Sequence, residues 1–368
     1  MKKILAILLS LVMMLGVVGS VAEPVNPADI PDSVNSPDGT YELAFVTDVG
    51  QLKDQSFNEG TWNGVKAYAH EYGLTYKYYQ PANGDAATDD DRYDAMKAAA
   101  VAGAKVVTCA GFMQEAALLK AAAEFPEVKF VFIDGYPIGL DNVAPIAFKE
   151  QECGFFAGYA IVKDGFTKLG FTGGGGGTNP ACVRYGYGYA QGASAAAKEL
   201  GIDVELKYSW QYGANFSHST ELQTMMSGWY ENGTEIVFAC GGSMFFSVAA
   251  AAAANDAFVV GVDVDQSYMS DTVVTSALKG IGEAAYWAIS KAYDGTWEEI
   301  GNVAQSLGCV DDATGLPTET WSMENFTVED YEALKAKVIS GELVIDDSLK
   351  NDGEVVDAGL ENINILYE

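Results

Sequence analysis

Basic residues are scarce in this chain: 368 residues hold 21 Lys and Arg against 51 Asp and Glu, a formal net charge of -30. It lacks a face able to neutralise a phosphate backbone, which excludes nucleic acid as a partner. Histidine is scarcer still. His70 and His218 are the two present, neither has a partner at metal-ligand spacing, and the sequence offers no zinc site. The five cysteines (Cys109, Cys153, Cys182, Cys240, Cys309) are odd in number, widely spaced and without a CxxC, so they make no disulfide framework. One or two bridges stay open, but four of the five stand in apolar or small-residue, strand-like surroundings where a buried thiol is the ordinary reading. Catalytic signatures are missing too. No loop has the spaced carboxylates of a calcium site, no glycine run ends in GK[ST], and Gly241-Gly242-Ser243 is half of a nucleophile elbow.

The chain has one long apolar run, at its start. Lys2 and Lys3 precede Ile4 to Val18, and Ser20-Val21-Ala22 supplies small residues before Glu23. This pattern predicts a signal peptide over residues 1–22, too short for a comfortable membrane span, and hence an exported chain. Without those two lysines the net charge goes from -30 to about -32. No Cys stands at the cleavage point, so a lipid anchor is not available there. Residues 23–39, rich in Pro, Asn and Asp, read as a linker.

What is present points to a large folded unit. At 49% hydrophobic and 12% aromatic the acidity does not mean disorder, and at about 150 residues per domain the length suggests two domains. From Tyr41 onward short apolar runs alternate with Ala-rich amphipathic stretches: strands at 41–47, 75–80, 105–109 and 129–134, with helices at about 58–72, 89–102 and 113–125 between them. The pattern restarts with a helix at 152–162 and continues through strands at 168–172, 203–209, 235–239, 257–263 and 273–276. Two tandem βαβ arrays predict parallel sheets with helices on both faces. Past Trp297 the periodicity weakens to a helix at 329–339 and an acidic tail read as irregular.

Open α/β sheets bind ligands beyond the carboxyl ends of their strands. The residues there are polar in both halves: Asp48, Gly111, Asp134, Gly241-Gly242, Asp263 and Asp265. Singly, each Asp is as well explained as a turn former or helix cap. Paired acids could also serve glycoside hydrolysis, which needs a separation that a sequence does not fix. The run Gly173–Gly177 reads as a loop of close approach, with a phosphate cradle as the alternative. A neutral ligand with hydroxyls and a flat heterocycle suits carboxylates, amides and rings such as Phe57, Phe112, Phe216 and Phe245.

The segment TDVGQLKDQSFNEGTWNG (47–64) resembles the start of the basic membrane protein family, the PnrA-like purine nucleoside-binding proteins of ABC transporters. Blocks at 148–165, 183–192, 233–243 and 259–280 resemble later parts of that family in the same order, together spanning roughly residues 41–295. The resemblance implies an α/β fold of the periplasmic-binding-protein-like type I: two doubly wound lobes with parallel sheets, joined by a hinge. Lobe 1 would be 40–148 with about 276–320, lobe 2 149–275 with part of 321–368, and the hinge near 147–152 and 272–278. It also implies a monomeric, extracytoplasmic binding protein with no cofactor, which closes on a purine nucleoside and delivers it to a membrane permease without chemistry. The ligand-binding residues carried over are Asp48, Asp54, Phe57, Asn58, Asp134, Phe216, Gly241, Gly242, Asp263 and Lys279. By chemical role, Asp263 and Lys279 would take ribose hydroxyls, Asn58 and Asp134 the base edge, and Phe57 and Phe216 the base faces. Two alternatives stay open: the same fold binding a sugar or an autoinducer, or an exported nucleoside hydrolase.

Overall fold

The structure is a computed structural model that describes residues 25–34, 36–49, 51–350 and 354–368. The expected signal peptide lies outside them. In chain order the first half runs β1 (Leu43–Val46), α1 (Phe57–Tyr72), β2 (Tyr76–Tyr79), α2 (Asp89–Val101), β3 (Val106–Ala110), α3 (Glu115–Glu124), β4 (Lys129–Ile133) and β5 (Val143–Phe148). The chain then crosses into α4 (Glu150–Asp164), β6 (Lys168–Gly173), α5 (Pro180–Leu200), β7 (Val204–Ser209), α6 (Thr220–Glu231), β8 (Ile236–Cys240), α7 (Met244–Ala254), β9 (Phe258–Asp263) and β10 (Val273–Lys279). It returns for α8 (Ile281–Tyr293) and β11 (Gln305–Leu307), and crosses once more to β12 (Thr314–Gly315), α9 (Val328–Ile339) and β13 (Ile363–Tyr367).

Two sheets result, ordered β11-β5-β4-β3-β1-β2 and β12-β10-β9-β8-β6-β7-β13. Every pairing is parallel except β12 against β10. Helices cover both faces, because fully buried strands such as β1, β3 and β8 carry apolar side chains on each side. In the first lobe α1 and α8 close one face and α2 and α3 the other; in the second, α4, α5 and α9 oppose α6 and α7. Strand order reverses between β1 and β3, and again between β6 and β8, which places a ligand crevice at the carboxyl ends of those two pairs.

The α4–α5 contact shows how sequence sets position. A Cβ on Gly154, Gly158, Gly188 or Gly192 would lie 2.0–2.3 Å from a carbonyl oxygen of the opposite helix. Glycine at those four sites lets the helices touch backbone to backbone, which fixes Glu150 and Tyr185 at the crevice end of the pair.

Three expectations change. The sheets exchange chain at 149, at 280 and over 308–313, so β10 stays in the second sheet through Lys279 and the second crossing falls after it, beyond the 272–278 expected. Part of the expected linker is docked: Ile30 is buried, its carbonyl and the Asp32 carboxylate accept from the Lys66 ammonium at 3.0 and 3.1 Å, and the Pro31 carbonyl accepts from the Tyr76 hydroxyl at 2.7 Å. The acidic tail ends in β13, which pairs with β7 from Val204 to Tyr208. All five cysteines are buried free thiols.

Candidate functional site

The crevice between the lobes is a cavity of about 360 Å³. Its wall is built at strand ends: Asp48 beyond β1, Gly111 beyond β3, Asp134 beyond β4, Gly241 and Gly242 beyond β8, Asp263 closing β9 and Lys279 closing β10. All ten residues proposed from the sequence line this one cavity.

Their hydrogen bonds sort them by what they can still do. Asp54 caps the first turn of α1: Oδ1 accepts from the amides of Ser56 and Glu59 at 3.0 and 3.1 Å, and Oδ2 accepts the Asn58 amide and side-chain nitrogen at 2.9 and 3.0 Å. Asn58 in turn accepts the Asp48 amide at 3.0 Å and donates to the Val49 carbonyl at 3.3 Å. Both groups therefore shape the loop from 48 to 58. Asp48 is different. Its Oδ1 is buried with no hydrogen-bond partner among the described residues, and it leans over Gly111, where a Cβ would lie 1.9 Å from Oδ2. Burial pushes its carboxyl up to about 7, and pushes Asp54 up to about 6.

At the other end stands Lys279, almost fully buried. Its ammonium lies 2.8 Å from Asp134 Oδ2, 3.6 Å from Glu150 Oε1 and 3.7 Å from Asp263 Oδ1. Burial works against this charge, but Asp134, Asp263 and Glu150 outweigh it and hold the ammonium above the ordinary lysine range. Burial raises Asp134 to about 6 despite the pull of Lys279. Asp263 accepts from the Ser56 hydroxyl at 2.7 Å and from the Tyr185 hydroxyl at 3.1 Å. The ring of Phe57 lies beneath Lys279, 4.9 Å from centroid to nitrogen.

Phe216 enters from the second lobe. A Cβ on Gly174 would lie 2.3 Å from its ring, so the glycine run is the floor on which that ring rests, the close-approach role rather than a phosphate cradle. Three wall residues, Asp134, Phe216 and Asp263, have φ of 57°, 57° and 64°. Left-handed backbone at a non-glycine residue costs roughly 1–3 kcal/mol, and such strain concentrates where a side chain must be aimed.

The lobes meet directly across the crevice. Ser56 reaches Asp263, the Ser217 hydroxyl donates to Asp85 at 2.9 Å, Gln266 donates to the Gln55 carbonyl at 3.1 Å, and Lys279 holds Asp134. This is a closed arrangement. Among the described residues no group of His, Cys, Asp and Glu could hold a metal ion, and no helix is long and apolar enough to cross a membrane.

Residues 41–348 match the family model Bmp, the PnrA-like ABC transporter substrate-binding proteins. The chain belongs to the Bmp family. Among its relatives, the nucleoside-binding protein BmpA of Lactococcus lactis is 27% identical over 83% of this chain and 88% of its own length. Basic membrane protein A of Borreliella burgdorferi is 26% identical over 83% and 87%. Solved structures of ABC transporter solute-binding proteins from Aeropyrum pernix and Conexibacter woesei share the architecture: TM-scores are 0.69 and 0.64, at 25% and 20% identity, each over 84% of this chain and 94% and 99% of theirs. The fold is thus the periplasmic-binding-protein-like one. A Bmp protein is a component of an ABC transporter, working outside the cytoplasm to capture a small molecule for a permease.

Within this Bmp protein, sequence reasoning passed over several wall residues. Tyr185 and Cys182 sit on the first two turns of α5, and Asn179 caps that helix by accepting the Cys182 amide at 3.1 Å; Ser56, which is not in the wall, holds Asp263 from behind it. Asn179 carried a readable signal, an Asn-Pro pair opening a helix.

Proposed function

We propose that this protein captures a purine nucleoside between its lobes and passes it unchanged to the permease. The observation that carries this reading is the arrangement of the wall: half-buried rings from opposite lobes, Phe57 and Phe216, with Asp48, whose Oδ1 has no partner, in the first lobe and the Asp263–Lys279 pair closing the site. The base lies between the rings, and Asp48 accepts N–H groups from its edge. This moves the base edge away from Asn58, whose side-chain oxygen and nitrogen are both used within the loop. The ribose hydroxyls meet Asp263 and Lys279, which together accept and donate. A cavity of about 360 Å³ falls within the range of small-molecule sites, about 300–1,000 Å³. The nucleoside-binding name of the Lactococcus relative supports the same ligand class. The protein acts as a monomer.

A thermal-shift panel of nucleosides, free bases, glucose and galactose, on protein refolded free of carried-over ligand, tests this. At a hundredfold excess over Kd a true ligand adds about 2.7 kcal/mol of stability. A shift with a sugar and none with any nucleoside would replace the reading with the sugar-binding alternative. Release of free base on incubation with inosine would replace it with a hydrolase.

A further inference from the structure

Glu150 is a fully buried carboxylate with no place in the cavity wall. Its Oε2 accepts from Arg184 Nε at 2.6 Å, while Oε1 lies 3.6 Å from the Lys279 ammonium and has no hydrogen bond. An apolar residue would fill that space at less cost in desolvation, so the charge calls for a reason other than stability. Its position supplies one. Glu150 opens α4 just after the first crossing between the sheets, and Lys279 ends β10 just before the second.

Arg184, on α5 of the second lobe, extends Nη1 to the hydroxyl of Tyr136 in the first lobe, at 3.1 Å. Tyr136 is two residues beyond Asp134, the carboxylate that Lys279 holds. The circuit Lys279–Glu150–Arg184–Tyr136 and back through Asp134 therefore passes between the lobes twice. Glu150 and Asp263 lie in the same lobe as Lys279. The Asp134 and Tyr136 contacts are the ones that cross from one lobe to the other.

We propose that Arg184 and Tyr136, organised by Glu150, form a latch behind the ligand cleft: positioning residues that touch no ligand, favour the closed form and slow ligand release. The latch rests on the reading that the ligand is held between closed lobes. Its strength is set within one lobe, where Glu150 fixes the Arg184 guanidinium in the orientation that meets the Tyr136 hydroxyl. A single hydrogen bond of this kind changes a closed-to-open ratio about three- to tenfold.

Tyr136→Phe and Arg184→Met, singly and together, test it. Tyr136 is 42% exposed, so its loss of one hydroxyl leaves the melting temperature unchanged. Each variant should raise the nucleoside off-rate three- to tenfold with the on-rate within twofold, and the double variant should be no worse than the stronger single, as for two halves of one contact. A second readout needs no ligand. Nitroxide labels at Leu119→Cys and Leu200→Cys, one on each lobe, should show the empty protein shifted toward longer distances in both variants. Unchanged off-rates and unchanged label distances would overturn the latch, and so would a lowered melting temperature with the off-rate intact. If the wild type binds no nucleoside, that reading falls while the label distances still decide the latch.

Discussion

Asp48→Asn gives the sharpest test of the site, because its effect on the empty protein and its effect on binding have opposite signs. In the empty cleft the carboxyl is raised from 3.8 to about 7, with burial the leading cause; the Val49 amide and Arg92 pull it down, and Asp134 and Asp54 push it up. At about 1.4 kcal/mol per tenfold change in proton affinity, that rise corresponds to roughly 4 kcal/mol. The folded state binds the extra proton, so the stabilisation is fully present below about pH 4 and is lost as pH rises through about 7. Asparagine does not titrate, so Asp48→Asn should gain on the wild type by about 3 kcal/mol between pH 5 and pH 8, at about 1.4 kcal/mol for each of the two pH units below the folded value near 7. Urea melts of ligand-free protein at both pH values measure this. Binding should move the other way. A base that donates N–H groups to ionised Asp48 binds more tightly as pH rises through 7, and the variant should lose at least tenfold in affinity with no such pH dependence. Stability curves that run parallel from pH 5 to 8, or a variant with wild-type affinity, would refute the reasoning.

Asp263→Ala removes the acceptor of Ser56 and Tyr185 and one of the carboxylates beside Lys279. It should weaken nucleoside binding by at least tenfold, about 1.4 kcal/mol, by calorimetry. Phe216→Ala should weaken binding by about 1–3 kcal/mol through lost base stacking, while leaving the melting temperature of the empty protein close to the wild type. Gly174→Ala drives a methyl into the ring of Phe216 and should reproduce much of that affinity loss without removing the ring. Ile30→Ala empties a buried site under the N-terminal strap and should lower stability by about 2–4 kcal/mol in a urea melt, with nucleoside affinity little changed.

The elements legible in the sequence were those whose pattern is local. The alternation of apolar runs and Ala-rich helices gave both lobes, and the polar residue after each run gave the crevice wall. The strand at Val143–Phe148 escaped because Pro145 interrupts it. It survives there because its outer neighbour β11 covers only Ile146 to Phe148. The docked strap and β13 depend on contacts with residues more than thirty positions away, Lys66 and Tyr76 for one and β7 for the other, which no window of the sequence contains. Within the site, residue type told which side chains would face the ligand but not which would be spent on one another. Asp48 and Asp54 look alike in the chain; a cap at Asn58 and Glu59 consumes both oxygens of Asp54, while Asp48 keeps an Oδ1 without a partner. Glu150 was passed over for the same reason, since its partners Arg184 and Lys279 come from separate segments.

The left-handed backbone at Asp134, Phe216 and Asp263 also governs how this cleft could be redirected to other ligands. At Asp134 and Asp263 the favoured alphabet is Asp, Asn and Gly, because other side chains add a backbone cost of about 1–2 kcal/mol there. A library aimed at altered specificity is therefore better spent on Phe57, Ser217, His218 and Phe246, whose backbones are unstrained, with the three twisted positions held fixed as the frame.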